Sequence, residues 1–367
     1  MTIPFFNTYI HPDAADNIGA VLASTFLSEG KIVKEFEDKL NEKLKLSNPV
    51  VVNSGTSALH LAVILSGIKP GDEVILPAQT FVASGLAVLM EGAVPIFADI
   101  QYETGNINPA DIEKKITEKT RAIMAVHWGG YPCDMDEILK IAKKYKLSVI
   151  EDAAHALGAV YKNRPIGTIS DFTCFSFQAI KHLTTGDGGA ICCLNKTKAK
   201  GAKTKRWFGI DRVNAIPSLL GEREYDIKEL GYKYHLNDYA AALGLANLEN
   251  FEERLEKRRR IAEIYRDKLK TVSGLKLFNS ENDRASAHWL FGMHVENRVD
   301  FISALQKKGV PASVVHLGID HNSIFGGWDQ SLIEQRRFDK TQIHIPIHET
   351  LSDENIDYII NAIKNGW

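Results

Sequence analysis

Only four of the 367 residues are cysteine: Cys133, Cys174, Cys192 and Cys193. No two of them stand in a C-x-x-C spacing, so the sequence offers no signature of a zinc site and none is expected. A disulfide framework is not needed either, because a chain this long buries a large core without staples. Cys192 and Cys193 are neighbours in the apolar run GGAICCL, where a strand would turn them to opposite faces. Reduced, mostly buried thiols in a cytoplasmic protein are the expectation. No window approaches 18 uninterrupted apolar residues, so no membrane-spanning helix is expected. The first residues, MTIPFFNTYIHPDAADN, lack a basic stretch followed by an apolar one, which argues against a secretory leader.

Neither sign of charge dominates. Lys and Arg number 44, Asp and Glu 46, and the formal net charge is -2, so no basic field gathers nucleic acid or anionic lipid. The run KRRR at 257–260 is a local exception. It lies in the Glu-rich helical stretch ENFEERLEKRRRIAEIYRDKL and reads as a solvated helix face with i,i+4 pairs. The common phosphate fingerprints are missing too. GDGG at 186–189 has neither the G-x-G-x-x-G spacing of a dinucleotide site nor the G-K-[ST] ending of a P-loop. That argues against a plain nucleotide-binding α/β protein. Internal repeats and low-complexity tracts are absent.

What is present is an alternation. Residues 50 to 195 switch between short apolar runs (VVNSG, DEVILP, AVPIFADI, RAIMAVHWGG, LSVIEDAAH, TCFSF, GGAICCL) and helical stretches such as TSALHLAVILSG, SGLAVLMEG, PADIEKKIT and DEILKIAKKYK. This predicts an α/β fold with a mostly parallel central sheet flanked by helices. From about Asn237 the pattern changes. NDYAAALGLANLENFEERLEKRRRIAEIYRDKL predicts a long amphipathic helical region. Strand-like WLFGMHV, helix-like DFISALQKKGV, strand-like PASVVHL and the helix DENIDYIINAIKN follow. A large α/β domain over 1–245 and a smaller α+β domain over 246–367 are expected.

Ligands of open α/β sheets sit at the carboxyl ends of the strands, so the residues after each strand are the candidates. After VVNSG, Thr56 and Ser57 open a helix beside Gly55, and free N–H groups with hydroxyls there suit a phosphate. A plain helix cap explains the same residues. After LSVIE comes Asp152, then His155. A buried carboxylate needs a partner, either a backbone amide or a cationic ring nitrogen. His155 reads equally as a packed core histidine. After TCFSF come Ser176 and Lys181, with Lys181 29 residues beyond Asp152. A lone lysine is ordinarily a surface residue. Taken together, phosphate cradle, acid, hydroxyl and lysine form the set that pyridoxal phosphate requires. Its aldehyde condenses with a lysine, its ring nitrogen pairs with an acid, and its ring takes a flat partner, for which Phe81 in PAQTFVAS is placed. The glycines of GDGG allow tight turns and close approach beside the lysine.

The segments NSGTSALHLA, GDEVILPAQTFVAS, VIEDAAHALGA and FSFQAIKHLTTGDGGAI resemble the DegT/StrS family of sugar aminotransferases, pyridoxal-phosphate enzymes of fold type I. The resemblance runs in register from about Phe26 to the C-terminus and includes GYKYHLND and SAHWLFGMHV. It implies that Lys181 is linked to the cofactor and shuttles the proton. Asp152 pairs with the ring nitrogen, His155 lies near the cofactor and Phe81 stacks on its ring. Thr56, Ser57 and Ser176, with amides around Gly55, hold the phosphate. It also implies a homodimer in which each partner reaches the other's phosphate, usually through an asparagine in a GYKYN-type segment. Here that segment departs from the pattern and offers Lys233, His235 and Asn237. Gln178 stands where relatives often carry His or Tyr.

The implied reaction moves an amino group from L-glutamate to a keto sugar carried on a nucleotide. Cations for the substrate's carboxylate and diphosphate are sought in Lys205, Arg212, His316 and His321. FQAIKHLTTGDGG is closer to relatives acting on 4-keto, 6-deoxy sugars than to those acting on 3-keto sugars. The product would serve a surface polysaccharide such as lipopolysaccharide O-antigen, or another glycoconjugate. The alternatives are a 3-keto sugar aminotransferase of the same family, a pyridoxal-phosphate sugar dehydratase, and a non-catalytic sensor that kept the fold. Dehydratases of the family replace the lysine with histidine, whereas this chain has Lys181 followed by His182.

Overall fold

A computed structural model describes residues 3–212 and 214–367. The seven apolar runs become strands β1 (Pro49–Val52), β2 (Glu73–Pro77), β3 (Val94–Ala98), β4 (Thr120–Val126), β5 (Ser148–Asp152), β6 (Phe172–Ser176) and β7 (Gly189–Cys193). They form one sheet in the order β1-β7-β6-β5-β4-β2-β3. β7 alone runs antiparallel to its neighbours, and the other contacts are parallel.

Alternate residues of each strand feed two cores, as the two-residue period of a strand requires. Val51, Ile75 and Cys192 face one core, and Val50, Val52, Val74, Leu76 and Cys193 face the other. The two adjacent cysteines therefore do part company, and all four thiols are free and buried. Helices α1 (Ala14–Ala23) and α2 (Lys31–Leu44) precede the sheet, while α3 (Gly55–Leu65), α4 (Ala83–Leu89), α5 (Pro109–Lys115), α6 (Met135–Tyr145) and α7 (Lys196–Lys205) connect or follow its strands. α3, α4 and α7 pack on the second core, and α2 and α6 on the first.

The expected long amphipathic helix is two helices. α8 (Asp238–Leu248) is buried on almost every side, and α9 (Phe251–Leu269) follows after a break at Glu249–Asn250. Asp238 explains part of that burial, since its carboxylate accepts from the N–H groups of Gly30 and Val33 and so caps α2 from a distance. The boundary expected at 245/246 falls inside α8, which packs against α1 and α2.

Beyond α9, strands β8 (Leu275–Leu277), β9 (Phe291–Val295) and β10 (Gln342–Ile345) make an antiparallel sheet in the order β8-β9-β10. Helices α10 (Arg298–Lys307), α11 (Ile333–Thr341) and α12 (Asp353–Lys364) complete this part. PASVVHL is not a strand. Its one ladder contact is the bridge of Ser313 to His344, because the rest of the segment turns away to line the cavity described below.

The KRRR run also departs from expectation. Lys257 and Arg260 are exposed, but Arg258 is buried, as is Arg254 one turn earlier. Arg258 Nε donates to Glu349 at 2.7 Å and Arg254 Nη1 lies 3.4 Å from the same carboxylate. Arg254 Nη1 also donates to the His182 carbonyl at 2.8 Å, which ties the last part of the chain to the residue after Lys181. Burial is the largest single influence on the Glu349 carboxyl and would raise it, but the charges of Arg258 and Arg254 and its hydrogen bonds together outweigh burial and the pKa is lowered. Breaking a buried pair leaves an uncompensated charge. Glu349→Ala is therefore expected to destabilise the fold by about 3 kcal/mol, read as a lower urea midpoint at unchanged slope. A loss below about 1 kcal/mol would place the pair among the weak surface bridges.

Candidate functional site

The carboxyl ends of β1, β2, β4, β5 and β6 meet at one edge of the sheet, where β7 begins. Register puts Gly189 opposite both Val52 and Ser176. A cavity of about 710 Å³ opens there. A Cβ on Gly189 would lie 2.7 Å from the Gly55 nitrogen and 2.6 Å from the Phe175 carbonyl. Glycine is thus required for β7 to pass close beneath the start of α3. Gly186, at φ +86°, turns the preceding loop. That loop is closed by Phe177 N–H donating to Gly188 O and Thr185 N–H to Phe177 O. Its closure thrusts Lys181 into the cavity.

Around the cavity stand Gly55, Thr56, Phe81, Asp152, His155, Ser176, Gln178, Lys181 and His316. At the start of α3, Ser54 accepts from Ser57 N–H at 3.0 Å and caps the helix. The first-turn N–H groups of Gly55 and Thr56 have no carbonyl four residues back within the helix to bond. With the Ser176 hydroxyl beside Gly55, they make an anion cradle. Ser57 sits just behind it, and its hydroxyl donates to Asn53 at 2.7 Å.

Asp152 ends β5, buried. One carboxylate oxygen accepts from Ser84 Oγ at 2.6 Å and the other from Ala154 N–H at 3.1 Å. Ser84 in turn lies 2.6 Å from Thr80 Oγ1. Burial raises the Asp152 pKa, against the pull of Ser84, Ala154 and Lys181. Its two bonds are to neutral donors, and a carboxylate has about four acceptor positions. The site thus holds a buried acid with room for a cationic N–H. Behind it, Glu151 points to the other face of the sheet. It accepts from Ser170 at 2.6 Å and Thr173 at 2.9 Å and meets His127 Nε2 at 2.8 Å. His127 Nδ1 accepts from Cys133 N–H, so Nε2 carries the proton donated to Glu151.

Lys181 Nζ lies 3.6 Å from the centre of the Trp289 ring. Burial pushes its pKa down to about 7, with Asp152 pulling it back up. The amine therefore loses its proton far more readily than an exposed lysine, as a nucleophile or base requires. The His155 ring stacks on the same indole at 3.8 Å, 13° from parallel. Its Nδ1 is buried without a hydrogen-bond partner, and burial first, then Lys181, push its pKa well down. Phe81 is half exposed at the rim, its ring 5.3 Å from His316. Burial lowers His316 to about 4, helped by Lys181.

Other candidates lie elsewhere. Lys205 is paired with Glu229. Arg212 lies over the Trp207 ring and 3.8 Å from Glu29. His321 bonds the Gly318 carbonyl on a separate surface turn. His235 packs edge-on against Trp207 at 4.2 Å, Asn237 bonds Tyr239, and Lys233 is exposed. The segment holding Lys233 to His235 runs beside β1, since Val52 bridges His235 and Asn53 N–H donates to Tyr234 O. Sequence reasoning missed Ser54, Thr80, Ser84 and Trp289. The hydroxyls of PAQTFVAS carried a usable signal, because they follow β2 at the same sheet edge. Trp289 carried only its place in the SAHWLFG resemblance. No group of three or more His, Cys, Asp or Glu that could hold a metal occurs among the described residues, and no described helix is long and apolar enough to cross a membrane.

Known proteins resemble the chain over nearly its whole length. Residues 8–364 match the DegT/DnrJ/EryC1/StrS aminotransferase family. The chain is 33% identical to GDP-perosamine synthase of Escherichia coli O157:H7, over 100% of this chain and 98% of that protein. It is 32% identical to UDP-4-amino-4,6-dideoxy-N-acetyl-beta-L-altrosamine transaminase of Campylobacter jejuni, over 98% and 99%. Among solved structures, sugar aminotransferase CalS13 of Micromonospora echinospora superposes with a TM-score of 0.95 over 100% of both chains at 32% identity.

Proposed function

Because the chain belongs to the DegT/DnrJ/EryC1/StrS aminotransferase family, we propose that it transfers the amino group of L-glutamate to a nucleotide-linked 4-keto, 6-deoxy sugar. It is a pyridoxal-phosphate-dependent sugar aminotransferase. The observation that carries this reading is the convergence of a low-pKa lysine, a buried acid hydrogen-bonded only to neutral donors and an anion cradle in one cavity.

The residues present fit the cofactor. The N–H groups of Gly55 and Thr56 with the Ser176 hydroxyl would hold its phosphate, Asp152 its ring nitrogen, Phe81 its ring face and Lys181 its aldehyde. When bound, it supplies an electron sink for a carbanion next to nitrogen. The Lys181 amine, neutral above pH 7, takes the α-proton from the donor and returns a proton to the acceptor carbon. Asp152 keeps the ring nitrogen protonated. Ser84 and Thr80 fix the orientation of Asp152, and Trp289 stacks on His155 and lies against the Lys181 amine.

The 4-keto preference is supported by the name of the Campylobacter relative, a 4-amino-4,6-dideoxy sugar transaminase. The product would enter a surface polysaccharide such as O-antigen, and the enzyme would work in the cytoplasm. A homodimer with shared sites is part of the reading, as is the two-domain division. The hairpin of Ile216–Pro217 with Arg223–Glu224 supports the dimer, because Leu219 and Leu220 at its tip are fully exposed. In that reading Lys233, His235 and Asn237, whose segment runs beside β1, would serve the partner's phosphate.

The test is a panel of GDP-, UDP- and dTDP-linked 4-keto, 6-deoxy sugars offered with L-glutamate. Formation of 2-oxoglutarate and an amino sugar in equal amounts with one member is the expected result. Transfer to 3-keto sugars alone would move the assignment to that alternative. Dehydration without 2-oxoglutarate would support the dehydratase.

A further inference from the structure

The segment before α1 crosses onto the far part of the chain and is fastened there at four points. Ile3 is buried in the core of α9, α12 and the β8-β9-β10 sheet. The Pro4 carbonyl accepts from His348 Nε2 at 3.1 Å. Tyr9 Oη accepts from Asn250 Nδ2 at 2.6 Å, and its ring faces the Arg254 guanidinium at 4.1 Å. His11 N–H donates to Asn247 at 2.8 Å. Between these fastenings lie Phe5 and Phe6, and both line the cavity. Phe6 stacks on Trp289 at 5.1 Å, 20° from parallel, and Phe5 meets Phe6 edge-on at 4.7 Å.

Resting on the functional reading above, we propose that this strap is the aromatic wall that selects the acceptor, with Phe6 as the residue that contacts the acceptor's sugar ring. Four anchors for a few residues are more than a frayed end receives, since ordering a chain end costs backbone entropy that its contacts must offset. Phe6 is one ring layer from the indole beneath Lys181, so the part of an acceptor that reaches it is the ring bearing the reacting carbon rather than the distant base. With Phe5, Ile180, Val315 and Pro311 nearby, the wall is apolar. It suits the C–H face and methyl group of a deoxy sugar, while a dicarboxylate donor such as glutamate gains little from it.

The test separates the two halves of the reaction. Phe6→Ala and Phe6→Leu are made in the full chain and assayed for glutamate KM, acceptor KM and calorimetric affinity for the preferred nucleotide sugar. Acceptor KM and Kd are expected to rise at least tenfold more than glutamate KM in Phe6→Ala, with Phe6→Leu in between. Tyr9→Ala, which loosens the strap without touching the wall, should shift the same ratio in the same direction. Equal changes in both substrates, or none, would overturn the wall and leave Phe6 as packing for Trp289. An unaltered protein that transfers no amine to any keto sugar would overturn the functional reading, and the wall with it.

Discussion

Lys181→Ala is expected to lower turnover by at least about 10⁴-fold, because one side chain supplies both the covalent link and the proton transfer. The substitution removes an amine that sits against Trp289 and has no hydrogen-bonded acid to release it from. Lys181→Arg should be equally inactive, since a guanidinium stays protonated. The pH profile adds a second signature. Lys181 titrates at about 7 and takes a proton only when neutral, so the proton-abstraction rate rises through pH 7 and then levels. Single-turnover mixing of loaded enzyme with glutamate reads both. A variant retaining a tenth of the activity would show that another base does the work.

Asp152→Asn carries the second large effect, a fall in turnover of about 10²- to 10⁴-fold. Asparagine can accept from Ala154 and meet Ser84, but it cannot hold a ring nitrogen protonated. The sign of two further shifts follows. Asp152 is a cause that raises the Lys181 pKa, so its loss moves the rising limb of the pH profile to lower pH. Burial also raises the Asp152 pKa above its ordinary value. Between the unfolded and folded pKa values the folded chain binds the extra proton, so stability falls as pH rises through that window and stays lower above it. The cofactor-free Asn variant should therefore be at least as stable as the unaltered protein at neutral pH, measured by thermal unfolding. Lower stability with unchanged turnover would mean that Asp152 serves the fold rather than the reaction.

Much of the sheet was legible because the strands of a mostly parallel, helix-covered sheet leave short apolar runs, and all seven strands did. Residues immediately after strands were legible for the same reason: topology alone brings Gly55, Asp152, Ser176 and Lys181 to one edge. Contacts made across the chain left little local trace. Arg258 looks like a surface charge until Glu349, 91 residues on, neutralises it. Trp289 reads as a core residue of a strand-like run, and only the fold sets it under Lys181. Nothing in the sequence set Phe5 and Phe6 apart, because the contact of Phe6 with Trp289 is made across the chain. PASVVHL has strand composition, but its neighbours turn it into a cavity wall with a single bridge. The GYKYHLND segment was sought as a site element, and it lies beside β1 rather than in the cavity of its own chain.

The most direct measurement is the absorbance spectrum of the purified protein with pyridoxal phosphate, before and after L-glutamate. The account predicts a yellow protein that bleaches with glutamate and regains its colour when a nucleotide-linked keto sugar is added. A protein that stays colourless with added cofactor, or stays yellow with glutamate, would contradict amino transfer at Lys181.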